Sequence, residues 1–117
     1  MLDVIITQIK TGTIKNVVPF GYSRPPIPYV VVKPEEDPLR RGRMFRVFVH
    51  VGNTGQNQLE DYVFNELSTL IGDRVFTTRN GNQVKLYAQE SFQDIITNND
   101  DGSISMGRDF LAPFRLF

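Results

Sequence analysis

Alternation of apolar and polar positions is clearest between Met44 and Val51. Phe45, Val47, Val49 and Val51 fall on one face of a strand, with Met44, Arg46, Phe48 and His50 on the other, because successive strand side chains point to opposite faces. The first face is wholly apolar and predicts packing on helices. The second is mixed and predicts a surface that is partly wet or meets another subunit. At the start of the chain Leu2, Ile5, Ile6 and Ile9 recur at i, i+3, i+4 and i+7, one face of a short helix, with Gly12 just past its end. The β-branched run Val4-Ile5-Ile6 keeps a strand open as the rival reading. Strands are also predicted over residues 14–20 and 29–33. Between them Pro25-Pro26-Ile27-Pro28 cannot supply ladder donors and reads as a loop or the start of an edge.

Gly52-Asn53-Thr54-Gly55 ends the alternating strand, and a helix follows over residues 56–70. Leu59, Val63, Leu67 and Leu70 form its apolar stripe, widened by Tyr62 and Ile71. Asn53 or Thr54 is the candidate N-cap, and Gly72 takes the C′ role. Arg79-Asn80-Gly81-Asn82 is a tight-turn signal that pairs residues 75–78 with a strand beginning at Val84. The last third, residues 84–117, reads as two long β-runs joined by Asn98-Asn99-Asp100-Asp101-Gly102. Asp-Gly marks a hairpin because a type I′ turn needs φ > 0, which Gly takes without steric cost. Ile104, Met106, Phe110, Ala112, Phe114 and Leu116 share one parity, interrupted by Arg108. Pro113 predicts an edge position, or one outside the sheet, for the last residues. An arm of this length exceeds what a compact core requires and suggests a chain that reaches a neighbour.

Short helix, three strands, main helix and long hairpin together predict an α+β fold. The sheet is expected to be mainly antiparallel, with one short and one main helix on one face, plus a long C-terminal β-hairpin. A single domain over residues 1–117 is expected from the length. The first three strands lie too close in sequence for βαβ crossovers.

Composition narrows the chemistry. Thirteen basic and thirteen acidic side chains give a formal net charge of zero, so bulk attraction to nucleic acid or an anionic membrane is not indicated. The absence of cysteine removes disulfides, thiolate metal sites and a thiol nucleophile. No apolar run approaches the roughly 18 residues of a membrane span, and the N-terminus has no basic n-region or cleavage site. A protein made or assembled in the cytoplasm is expected. His50, the only histidine, has no second ligand at metal spacing and reads as structural. Asp94, Asp100, Asp101 and Asp109 are acid–base candidates by type only, and the middle two sit in a turn where Asp is expected anyway. Ser91, Ser103 and Ser105 lack a nucleophile-elbow pattern. Neither catalysis nor a cofactor is expected.

Two features point to a partner. In the polar stretch 34–43, read as an exposed connection, Glu35, Glu36 and Asp37 are followed by Arg40, Arg41 and Arg43. Adjoining opposite charges suit head-to-tail pairing between copies, the acidic half of one meeting the basic half of the next. A solvated loop and contact with DNA phosphates remain open readings. Four of the nine phenylalanines, Phe92, Phe110, Phe114 and Phe117, lie on the closing hairpin. Apolar residues on both parities near its end exceed what one small domain can bury. That pattern marks protein–protein contact, with Phe110, Phe114 and Phe117 as candidates.

In this order of elements the chain resembles the tail-terminator, or tail-completion, proteins of long-tailed bacteriophages and the related tail-to-head joining proteins. An amphipathic strand over residues 43–51 runs through a short polar break into the helix at 56–70. A variable region follows, and the chain closes on a strand, an Asp100-Asp101-Gly102 turn and the strand Ser103-Ile104-Ser105-Met106-Gly107-Arg108-Asp109-Phe110. The likeness covers most of the chain and rests on element order, without a signature motif. It implies a non-catalytic virion protein of the tail–neck region, forming six-membered rings that end the tail tube and meet the head connector. DNA would be only cargo through the lumen, and no membrane would be involved. Loop 34–43 and residues 72–83 would then make inter-subunit or axial contacts, with the closing hairpin extending the sheet or bracing a neighbour. A head-completion or stopper protein of the same neck is the alternative, and a small oligomeric ligand-binding α+β domain gathering His50, Tyr87 or Asp94 is a further one.

Overall fold

The computed structural model describes residues 1–97 and 99–114, and the backbone alone at residues 91–93. Helix α1 (Leu2–Ile9) leads into strands β1 (Asn16–Pro19), β2 (Tyr29–Glu36) and β3 (Gly42–Gly52). Helix α2 spans residues 56–71, and β4 (Val75–Thr77), β5 (Gln83–Lys85), β6 (Tyr87–Ile96) and β7 (Ser103–Pro113) complete the described chain. Five strands form one sheet in the order β1-β2-β3-β7-β6, while β4 and β5 form a separate ribbon. The fold is α+β with a mainly antiparallel sheet.

The alternation in β3 works as expected. Phe45, Val47, Val49 and Val51 are buried against Ile5 and Ile9 of α1 and Leu59, Val63 and Leu67 of α2 in one continuous core. Val30 and Val32 of β2 and Ile104, Met106, Phe110 and Ala112 of β7 complete the face that meets the helices. Leu59, Val63, Leu67 and Ile71, four residues apart, are all fully buried. In a helix of 3.6 residues per turn that spacing drifts by roughly 40° a step. A π-turn at Tyr62–Glu66 underwinds α2 in mid-course and removes part of the drift, so Ile71 rather than Leu70 closes the stripe.

Several expectations are corrected. β1 pairs with β2 in parallel, Asn16 opposite Tyr29. A nine-residue loop carrying Gly21 at φ 93° returns the chain without a helix, so closeness in sequence did not enforce antiparallel pairing. The polar stretch 34–43 is largely strand: β2 runs to Glu36, with Pro34 opposite Phe45. Proline is tolerated there because β2 has lost β1 as a neighbour beyond Val32. Neither Asn53 nor Thr54 caps α2, whose N-cap is Gly55 with no side-chain bond. Gly72 is extended rather than left-handed, and Asp73 takes φ 55° instead. Glycine is needed at 72 for proximity, since a Cβ there would stand 2.5 Å from the Ser68 carbonyl oxygen.

The largest correction concerns β7. It is an inner strand, in register with β3 from Gly42–Pro113 to Gly52–Ser103 and antiparallel to β6 on its other side, so it is not an arm reaching away from the molecule. Pro113 fits because β6 begins opposite Leu111, leaving β3 alone beside the proline. Gly42 permits that last pair, since a Cβ would collide with the Ala112 carbonyl oxygen and Pro113 Cα. Gly42→Ala is expected to cost roughly 1–3 kcal/mol by overpacking, read as a lowered urea midpoint. Wild-type stability in that variant would mean the strands do not approach this closely.

Candidate interface at the β2–β3 hairpin tip

The turn from β2 to β3 is built on Asp37. Its carboxylate accepts from the backbone N–H of Leu39 (3.2 Å) and of Arg41 (2.7 Å), and from Arg41 Nε (3.1 Å) and a terminal guanidinium nitrogen (3.2 Å). These bonds, led by the Arg41 side chain, hold the Asp37 carboxyl below its ordinary range. They also let Arg40 turn left-handed at φ 52°. The Arg41 carbonyl accepts from Phe114 N–H at 2.9 Å, tying the end of β7 to the tip.

This geometry sorts the nine sequence candidates. Asp37 is buried and Arg41 is consumed by it, so the tip does not present separate acidic and basic halves. Glu35 lies 3.6 Å from Lys33. Glu36, Arg40 and Arg43 are exposed, a net basic set. Phe110 is fully buried in the core and is no interface residue, because its parity turns it toward the helices. Phe114 stands 70% exposed, and Phe117 lies outside the described residues. Glu35, Glu36, Asp37, Arg40, Arg43 and Phe114 line one groove of about 720 Å³. Phe114 also borders a second, of about 610 Å³, with Arg40, Arg41, Tyr87 and Leu111. The structure thus brings most of the candidates to one end of the sheet.

Sequence reasoning missed two arrangements. Arg108, read as an interruption, points to the helix side of the sheet. It donates to the Gln89 and Val63 carbonyls (3.3 and 3.4 Å) and to Ser68 Oγ (2.8 Å), with Phe64 and Phe110 rings 5.3 and 5.9 Å from its guanidinium carbon. Its acceptors come from α2 and β6, and nothing local announces them. The second is at the far end of β3. His50 stacks on Tyr29 with ring centroids 4.4 Å apart, and Tyr29 donates to Asp101 at 2.7 Å. Ser103 Oγ donates to Asp101 at 2.5 Å and lies 3.2 Å from His50 Nδ1. Because the hydroxyl spends its proton on Asp101, its lone pair accepts from His50, and Nδ1 carries the proton. Hydrogen bonds from Ser103 and Tyr29 pull the Asp101 carboxyl down to about 2, and burial beside that carboxylate pushes the Tyr29 phenol up to about 12.

Tyr87 and His50 do not gather in one cleft: their β7 partners are Leu111 and Ser105, six residues or about 20 Å apart. Asp94 and Asp100 are exposed, and Asp109 is paired with Arg46. Among the described residues no three His, Cys, Asp or Glu side chains gather as metal ligands.

Burial holds the folded-state pKa of His50 below its ordinary 6.5. Stability from the neutral ring is therefore complete above pH 6.5 and is lost as pH falls from there through the folded-state value. Urea midpoints taken from about pH 7.5 to about pH 5 are expected to fall more steeply for the wild type than for His50→Phe. Equal slopes would leave the ring without a part in pH dependence.

Comparison with family models, with curated proteins and with solved structures returned no match.

Proposed function

We propose that this chain is a structural virion protein of a tailed phage, assembling as a ring that ends the tail tube and joins it to the head connector. The observation that carries this reading is the hairpin tip, where exposed Phe114, Arg40, Arg43 and Glu36 share one end of the sheet. An apolar anchor ringed by unspent charge is the composition of a protein contact, and the resemblance in element order supplies its setting. Heterologous contacts that close into a ring leave one face for the tube and another for the neck proteins. Polymerisation stops because the outward face differs from the tube's own growing end. The β6–β7 hairpin, with β6 on the sheet edge, extends the sheet or braces a neighbour. DNA passes through the lumen as cargo, and no catalysis or cofactor is involved.

Light scattering and negative-stain imaging test the reading. Six copies of 13.4 kDa give roughly 80 kDa and a closed ring with a central hole. A particle that stays monomeric even with tail tubes present would refute it. Cross-linking to portal-side proteins in place of tube-side ones would assign the chain to the head-completion role instead. Arg40→Glu with Arg43→Glu is expected to weaken assembly about tenfold or more without lowering the monomer's unfolding midpoint. Arg41 is left intact because Asp37 needs it. An unchanged oligomer would remove the tip from the interface.

A further inference from the structure

A groove of about 390 Å³ opens on the sheet face turned away from the helices, at the end opposite the hairpin tip. Val31 and Phe48 contribute its apolar lining, and Phe20 and Tyr22 of the β1–β2 loop border it while 60% and 70% exposed. Lys33 Nζ stands 4.7 Å over one face of the Phe20 ring, so Phe20 offers its other face, and Tyr22 its ring, to a further ring.

The polar lining has a definite hydrogen-bond sense. Asn99 donates its amide protons to the Ser103 carbonyl (3.0 Å) and Ser105 Oγ (3.1 Å), which leaves Oδ1 an acceptor without a partner among the described residues. His50 spends its Nδ1 proton on Ser103, so Nε2 is a second open acceptor. Arg24 also lines the groove. It lies 4.0 Å from an Asp101 carboxylate already served by Tyr29 and Ser103, and is itself largely exposed. Its charge is only loosely spent and can meet an anion.

We propose that this groove binds a nucleotide, with the base stacked on Phe20 and Tyr22, its donor edge on His50 Nε2 and Asn99 Oδ1, and its phosphate on Arg24. Two acceptors call for two donors. Guanine offers adjacent ones, N1–H and the N2 amino group. Adenine and cytosine offer a single amino group, and uracil one N–H between two carbonyls that these acceptors repel. With zero net charge on the chain, long-range attraction contributes little, so stacking and edge recognition supply the affinity. The site is independent of ring assembly and stands or falls apart from it.

The chain has no tryptophan and four tyrosines, so tyrosine emission reports stacking on Tyr22. Titration of the whole protein with GMP, AMP, CMP and UMP is expected to give saturable quenching, tightest for GMP and about tenfold weaker for UMP. Tyr22→Ala and, by calorimetry, Phe20→Ala are expected to weaken all four. Both side chains are exposed, so folding is kept, and circular dichroism verifies it. His50→Phe keeps an aromatic stack on Tyr29 and is expected to narrow the GMP-to-UMP difference while stacking persists. A short guanine-bearing oligonucleotide that binds as GMP does identifies the free nucleotide as ligand. Binding about tenfold tighter that weakens with salt identifies a single strand. No saturable response to any nucleotide at millimolar concentration, or equal affinity for GMP and UMP, overturns the proposal.

Discussion

Phe110→Ala is expected to lower the unfolding free energy by about 3–5 kcal/mol, while Phe114→Ala should change it by no more than about 0.5 kcal/mol. Both belong to the same run at the end of the chain, and sequence reasoning groups them as contact residues. The structure separates them. Phe110 is fully buried in the middle of β7, opposite Phe45 and beneath Arg108, so truncation opens a cavity in a layer with no slack. Phe114 follows the last strand pair and is 70% exposed. Urea unfolding of the two single variants decides the matter, with light scattering alongside. The expected pattern is a destabilised Phe110 variant and a stable Phe114 variant with impaired assembly. Similar stability losses in both would place Phe114 in the core and remove it from any contact surface.

The contrast shows where the sequence is legible. In β3 the apolar parity is a local property, and Phe45, Val47, Val49 and Val51 needed only a helix layer somewhere to bury them. The turns at Gly81 and Gly102 were likewise readable, since both glycines take positive φ, but Asp101 does not join Gly102 there, so the turn is not the type I′ form expected. The parallel β1–β2 pair was not readable, because strand direction depends on how the loop at 20–28 crosses the sheet. Nor was the inner position of β7, which follows from pairing with a strand some sixty residues earlier. Arg108 shares the parity of its apolar neighbours, yet its acceptors in α2 and β6 exist only once the sheet and helix have met.

The candidate interface was half legible for the same reason. Charge and apolar content singled out residues 34–43 and the end of the last strand, and the fold brings most of the named residues to one end of the sheet. Composition cannot tell a spent charge from an open one. Asp37 and Arg41 neutralise each other four residues apart, whereas Arg40 and Arg43, identical by type to Arg41, remain unspent. At the other end of β3 the lone histidine, read as structural, stacks on Tyr29. Its two neighbours Ser103 and Asp101, which assign its proton to Nδ1, come from a turn that composition marked only as a turn.

Asp109→Ala is expected to cost about 2–3 kcal/mol, more than an exposed ion pair would. Arg46 Nε and a terminal nitrogen donate to the two Asp109 oxygens at 2.7 and 3.1 Å. The residues face each other across β3 and β7, so the sheet register holds both before the pair forms and little side-chain entropy remains to be lost. The carboxylate is 4% exposed and the guanidinium 32%, which puts the cost below that of a fully buried pair. Removing Asp109 alone leaves a half-buried cation between Met44 and Phe48 with only the weaker attraction of Glu35 to offset it. Replacing both partners, Arg46→Met with Asp109→Leu, removes the charge together with its desolvation cost and is expected to recover most of the loss. Urea unfolding of the two single variants and the double one gives the coupling directly. A loss under about 0.5 kcal/mol for Asp109→Ala would make the pair an ordinary surface contact. A double variant less stable than either single one would show that this sheet face tolerates charge better than apolar surface.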